Sequence, residues 1–135
     1  MIRIKRIYES PSSRDGLRVL VDRVWPRGVS KQRARIHEWR KDLAPSTTLR
    51  KWFGHDPAKW PAFRLRYRNE LTSNGREGDL QALARLAKRK TVTLLYSAAD
   101  DTHNQAVVLR DFLEELAAPS SPPRLDTPPW QRYSR

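Results

Sequence analysis

Ile2 and Ile4 alternate with Arg3 and Lys5 ahead of an Ile7-Tyr8 pair, a period of two that predicts a first strand with one solvated face. Ser10 to Gly16, with Pro11 inside it, breaks that pattern. Leu17 to Val24 is denser in Val and Leu and predicts a more buried strand, stopped by Pro26 and Gly28. From Ser30 the pattern turns into helical pieces separated by Pro and Gly. Ser30 is placed to cap a short turn at Lys31-Gln32-Arg33, Ser46 to cap Thr47 to Phe53 with Gly54 closing it, and Asp56 precedes a Pro at a first helical position. Trp60, Phe63, Tyr67 and Leu71 recur at spacings of three and four, an apolar stripe with Arg64 and Arg68 on another face, and Asn74-Gly75 ends that helix.

Leu80, Leu83, Ala84 and Ala87 mark the next helix, whose closing Lys88-Arg89-Lys90 suits the negative end of its dipole. A strand from Thr91 to Tyr96 follows, and Leu109, Phe112, Leu113 and Leu116 stripe a final helix. This order predicts an α/β fold: a small, mostly parallel sheet flanked by helices, one domain over residues 1–117. The strands at Leu17 and Thr91 would be parallel through a long right-handed crossover. Five of the eleven residues from Pro119 to Pro129 are Pro, so residues 118–135 read as a Pro-rich tail, disordered or draped.

At 135 residues, 38% of them hydrophobic, the chain has the size of one domain with one core, and five Trp, four Tyr and three Phe supply large apolar surfaces. Its formal charge of +12 is unevenly spread: residues 1–55 hold 14 basic and 5 acidic side chains, residues 91–117 only 1 and 5. A cationic surface of this kind attracts polyanions and releases them as salt rises. The absence of cysteine excludes disulfides, thiolate nucleophiles and thiolate metal sites, and fits a cytoplasmic protein. No apolar core of a signal peptide follows the charged first residues, and no apolar run approaches the roughly 20 residues of a membrane helix.

If the strands at Leu17 and Thr91 lie parallel, the polar segments after them meet at one sheet edge, where open α/β sheets bind ligands. The first segment offers Arg23, Trp25 and Arg27, whose guanidinium forks suit a phosphate or carboxylate, unless Arg23 pairs with Asp22 or Asp42 and Trp25 caps the core. The second offers Ser97, Asp100, His103 and Asn104, with helix amides near Asn104 to add positive potential. Asp100 and His103 are the candidates for acid/base work, since a carboxylate can fix an imidazole tautomer, while Asp101 or Thr102 would serve as a cap. Lys41 and Asp42 precede another helix start and would close over the pocket or lock their loop. Ser97 lacks a Gly-x-Ser-x-Gly elbow and is not read as a nucleophile; His37, His55 and His103 lack close ligand spacing, so no metal is expected, and no other cofactor is called for.

Several blocks taken together resemble a known family: Asp15-Gly16 with Arg18 to Arg23, Trp25-Pro26-Arg27-Gly28, Trp39 with Lys41 to Ser46, Leu49 to Phe53, Thr93 to Tyr96, and His103 to Ala106. From about Ile2 to Leu116 the chain resembles the DUF488 family of bacterial proteins, in its YeaO-like branch. The resemblance implies an α/β fold and a conspicuous set of polar residues, and no particular reaction. A sister branch carries Cys-His-Arg where this chain has Thr102-His103-Asn104, so cysteine chemistry does not carry over.

The leading expectation is a protein that binds a small anionic molecule, phosphate- or carboxylate-bearing, at the carboxyl ends of the strands, with or without catalysis. The alternative is a nucleic-acid-associated basic module whose Arg64, Arg66 and Arg68 contact phosphates. A third reading makes the polar residues a buried network that only fixes the fold.

Overall fold

The computed structural model describes residues 1–117; the Pro-rich segment 118–135 lies outside the described residues. Four strands, β1 (Ile2–Arg6), β2 (Leu17–Leu20), β3 (Glu38–Trp39) and β4 (Val92–Tyr96), form one all-parallel sheet in the order β1-β4-β2-β3. Five helices accompany it: α1 (Lys31–Ala34), α2 (Thr47–Phe53), α3 (Trp60–Ser73), α4 (Glu77–Arg89) and α5 (Gln105–Ala117). The α/β class and the parallel pairing of β2 with β4 are as the sequence predicts.

β4 is buried at all five positions because it is central, between β1 and β2, with a core packed on each face, and only Thr93 interrupts its apolar run. On one face of the sheet Val19, Val21, Val92, Leu94 and Tyr96 join the main core with Phe53, Phe63, Tyr67, Leu80 and Leu109 from the helices. On the other, Leu20 and Leu95 form a smaller core with Ile7, Ala34 and Ile36. The stripes of α3 and α4 are buried as their spacing requires, except that Trp60 is only partly so. In α5 the buried positions are Ala106, Val108, Leu109 and Leu113, while Leu116 is left 38% exposed one turn too far along.

Two features depart from the sequence pattern. β2 ends at Leu20 rather than Val24, and only the Val21 amide continues the ladder, to the Leu95 carbonyl at 3.0 Å. Beyond it the backbone must leave the sheet before Pro26, which has no amide to give. β3 has no periodic signature of its own. It forms because β2 offers a free edge, where the His37 amide donates to Arg18 O at 2.9 Å and the Arg40 amide to Leu20 O at 2.8 Å.

The polar half of the second face is organised by Asp15, fully buried before β2. Its carboxylate pairs with Arg18, receives Lys5 Nζ at 3.1 Å and the Ser12 amide at 2.9 Å, and lies 3.9 Å from Arg3. Burial pushes this carboxyl up, but the bonds from Ser12, Lys5 and Arg18 outweigh burial and hold it below its ordinary value. Gly16 then turns the chain at φ 62°, where a Cβ would lie 2.1 Å from the Thr91 carbonyl oxygen; no other residue fits without displacing β4.

Removing the Asp15 charge strands the buried Arg18 and the half-buried Lys5. Asp15→Asn should lower stability by about 3–5 kcal/mol in chemical denaturation, the range for breaking a buried pair from one side. Because the folded-state value is depressed, this contribution is complete above the unfolded carboxyl value and fades as acid drives the pH below about 4. A variant that melts like its parent at neutral pH would contradict the role given to Asp15.

Candidate functional site

The segments that follow β2 and β4 meet as the parallel pairing demands, and with α2 and the loop after it they enclose a cavity of about 290 Å³. Its polar lining comes from Asp22 and Arg23 after β2, Ser97 after β4, Arg50 and His55 on and after α2, and His103 to Gln105 at the start of α5. Phe53 and Phe63, stacked at 4.3 Å with 21° between their planes, give it an apolar wall.

Arg23 is held in place by backbone oxygens: Nε donates to Pro45 O at 2.7 Å and Nη2 to Ala44 O at 3.4 Å. Neither Arg23 nor Arg50 makes an ion pair among the described residues. Asp42, weighed in the sequence as a partner for Arg23, instead binds Arg40 through both carboxylate oxygens at 3.1 and 3.0 Å, and that bond holds its carboxyl below the ordinary value.

Asp22 is buried and also carries no ion pair among the described residues. Gln105 Nε2 donates to its Oδ1 at 2.6 Å, and Ser97 lines the same cavity. Burial raises its pKa; neighbouring Ser97, Gln105 and the charge of Arg50 offset this only in part.

Asp100 and His103 touch. His103 Nδ1 lies 2.9 Å from Asp100 Oδ2, while Asp100 Oδ1 accepts from the amides of Thr102 at 2.9 Å and His103 at 3.0 Å. The Thr102 amide first, then the Thr102 hydroxyl and His103, hold the Asp100 carboxyl well below the usual carboxylate range. An ionised Asp100 requires the ring proton on Nδ1, leaving Nε2 as the imidazole's free atom. The ring stands edge-on to Trp60 at 5.2 Å.

Asn104 is the cap of α5, a role the sequence suggested for Asp101 or Thr102. Its Oδ1 accepts from the amides of Ala106 at 2.9 Å and Val107 at 3.2 Å, and its Nδ2 donates to Asp100 O. Those amides are therefore satisfied internally and are not left to cradle an anion.

Trp25, Arg27, Lys41 and Asp42 lie outside the cavity lining. Trp25 packs with the smaller core, donates to Val29 O at 2.9 Å and meets Trp39 edge-on at 5.3 Å. Arg27 is exposed in the turn closed by the Val29 amide, and Lys41 sits over the Trp39 ring at 5.1 Å. The sequence pattern does not single out Asp22, His55 or Gln105 as ligand contacts. The signals were an acidic residue closing a buried strand and a Gln opening the last helix. Among the described residues no three His, Asp or Glu side chains converge as a metal site, and no helix is long and apolar enough to cross a membrane.

The family described as "Inactive DUF488-N3 subclade" matches residues 1–129. The uncharacterized protein YeaO of Escherichia coli (strain K12) is 44% identical over 115 residues, 85% of this chain and 98% of its own length. The uncharacterized protein Rv3073c of Mycobacterium tuberculosis (strain H37Rv) is 38% identical over 112 residues, 83% of this chain and 92% of its own. No solved structure matches.

Two substitutions test this geometry. Asn104→Ala should cost about 0.5–2 kcal/mol, the loss of an N-cap, in a denaturant titration; no loss would mean the carboxamide does not hold the helix start. Asp22 has a raised folded-state pKa, so its stability is complete below the unfolded value and is lost as pH rises through the folded one. Asp22→Asn, neutral throughout, should therefore melt above its parent at about pH 8 and lose that advantage below about pH 4.

Proposed function

The chain belongs to the DUF488 family, YeaO-like and within the subclade described as inactive, and from that premise we propose that its strand-end cavity binds a small phosphate- or carboxylate-bearing molecule. The observation that carries the reading is the pair of guanidinium groups, Arg23 and Arg50, that line one cavity without a carboxylate partner among the described residues. Guanidinium forks match the oxygens of a phosphate or carboxylate, and in a partly enclosed site such bonds are worth more than at an open surface. Arg23 is already immobilised by two carbonyls, so little side-chain entropy is lost when an anion arrives.

The subclade's description favours binding without turnover. In this reading Asp100 fixes the ring of His103, and Nε2 meets the ligand as a hydrogen-bonding group rather than as an acid or base in a reaction. The alternative, a phosphate-binding surface on α3, finds less support. Arg68 is held by Glu115 at 2.8 and 2.9 Å, Arg66 lies over Trp52 at 4.1 Å and Arg64 over Trp60 at 5.8 Å. Tyr67 is fully buried and offers no stacking platform.

Thermal melting against nucleotides, sugar phosphates, sulfate and short single-stranded nucleic acid, at low and moderate salt, tests the reading. A small anion should stabilise the unmutated protein, and Arg23→Ala or Arg50→Ala should weaken its binding by about ten- to a hundredfold, as loss of a charged hydrogen bond does. Arg50 is exposed, so its variant separates ligand loss from misfolding. Stabilisation by nucleic acid alone, lost with salt and indifferent to both arginines, would overturn the pocket and favour the basic surface.

A further inference from the structure

A buried carboxylate ordinarily rests against a cation, because the mutual attraction offsets part of the desolvation of both. Asp22 does not, although Arg23 is its neighbour in the chain and Arg50 lines the same cavity. Arg23 is drawn away by the Pro45 and Ala44 carbonyls, and Asp22 is held by a neutral donor, Gln105. Opposite charges are thus kept apart on the wall of one cavity of about 290 Å³.

Two carboxylate oxygens accept up to about four hydrogen bonds, so Gln105 leaves Asp22 with acceptor capacity. A bare anion on the arginines would leave that capacity unused and set a second negative charge in the same enclosure. A molecule that presents its own donor to Asp22 while its anionic group meets the arginines satisfies both. The stacked Phe53 and Phe63 suit a carbon skeleton joining the two groups.

We infer that the cavity selects anions that also carry a hydrogen-bond donor, such as a hydroxyl or an amine, and that Asp22 is the residue that determines this specificity. The inference rests on the anion-binding reading and narrows its ligand class.

Calorimetric titration of the full chain with matched pairs tests it: glycerol 3-phosphate against propyl phosphate, and 4-hydroxybenzoate against benzoate, at one ionic strength. The hydroxylated member of at least one pair should bind about tenfold or more tightly, the scale of a hydrogen bond to a charged group, and Asp22→Asn should shrink that preference to about threefold or less. Equal binding within both pairs overturns the selectivity and leaves the anion site standing. A preference unchanged in Asp22→Asn overturns the role of Asp22. Binding of none of the four overturns both readings. Should Asp22→Asn fail to fold, the comparison within each pair on the unmutated protein still decides whether the selectivity exists.

Discussion

Asp15 draws Arg3, Lys5 and Arg18 onto one buried carboxylate, while its own carbonyl accepts the Thr93 hydroxyl at 2.7 Å. One residue thereby ties β1, β2 and β4 together on the face where helices are scarce. Lys5 and Arg18 sit on strands that an apolar face would otherwise claim, and without the carboxylate that face would hold unpaired charge. With it, β2 enters the sheet through Gly16 against the Thr91 carbonyl, and the register of β2 on β4 is set from its first residue. Everything beyond the other end of those strands inherits its position from this register, the cavity included.

At the carboxyl ends the same economy is inverted. Around the cavity, charges that attract one another are separated: Arg23 is anchored by carbonyls and Asp22 is served by Gln105, while Asp42, which could have paired with Arg23, is taken by Arg40. Near the sheet's beginning the fold spends its ion pairs on itself, and near its end it leaves Arg23, Arg50 and Asp22 without one among the described residues. Asp100, like Asp42, is committed, since it orients His103 and closes the turn that precedes α5.

Much of this was legible in the chain. The caps Ser30, Ser46 and Asp56 accept the bonds their spacing promised, and the strand expected from Thr91 to Tyr96 forms over Val92 to Tyr96. The meeting of the Arg23 and His103 segments followed from parallel pairing alone. What was not legible depended on partners chosen in three dimensions. β3 owes its existence to a vacant edge of β2, not to Glu38 or Trp39. Whether Asp42 would bind Arg23 or Arg40, and whether Asn104 would cap a helix or face a ligand, turned on placements that no local pattern encodes. Trp25 and Arg27 adjoin Arg23 in sequence, but Trp25 packs against the smaller core and the turn from Pro26 to Val29 carries Arg27 away.

A parallel sheet of four strands has two edges, and each strand there exposes backbone groups that another chain could adopt. Among the described residues one edge is β3, only two residues long, and the other is β1, where Arg3, Lys5 and Arg6 stand within five residues. A two-residue edge offers too few bonds to recruit an incoming strand, and a row of like charges repels a copy of itself. The same cations that complete the Asp15 cluster thus also guard the sheet against edge-to-edge assembly, so concentrated, high-salt solutions are where this fold is least protected from joining its neighbours.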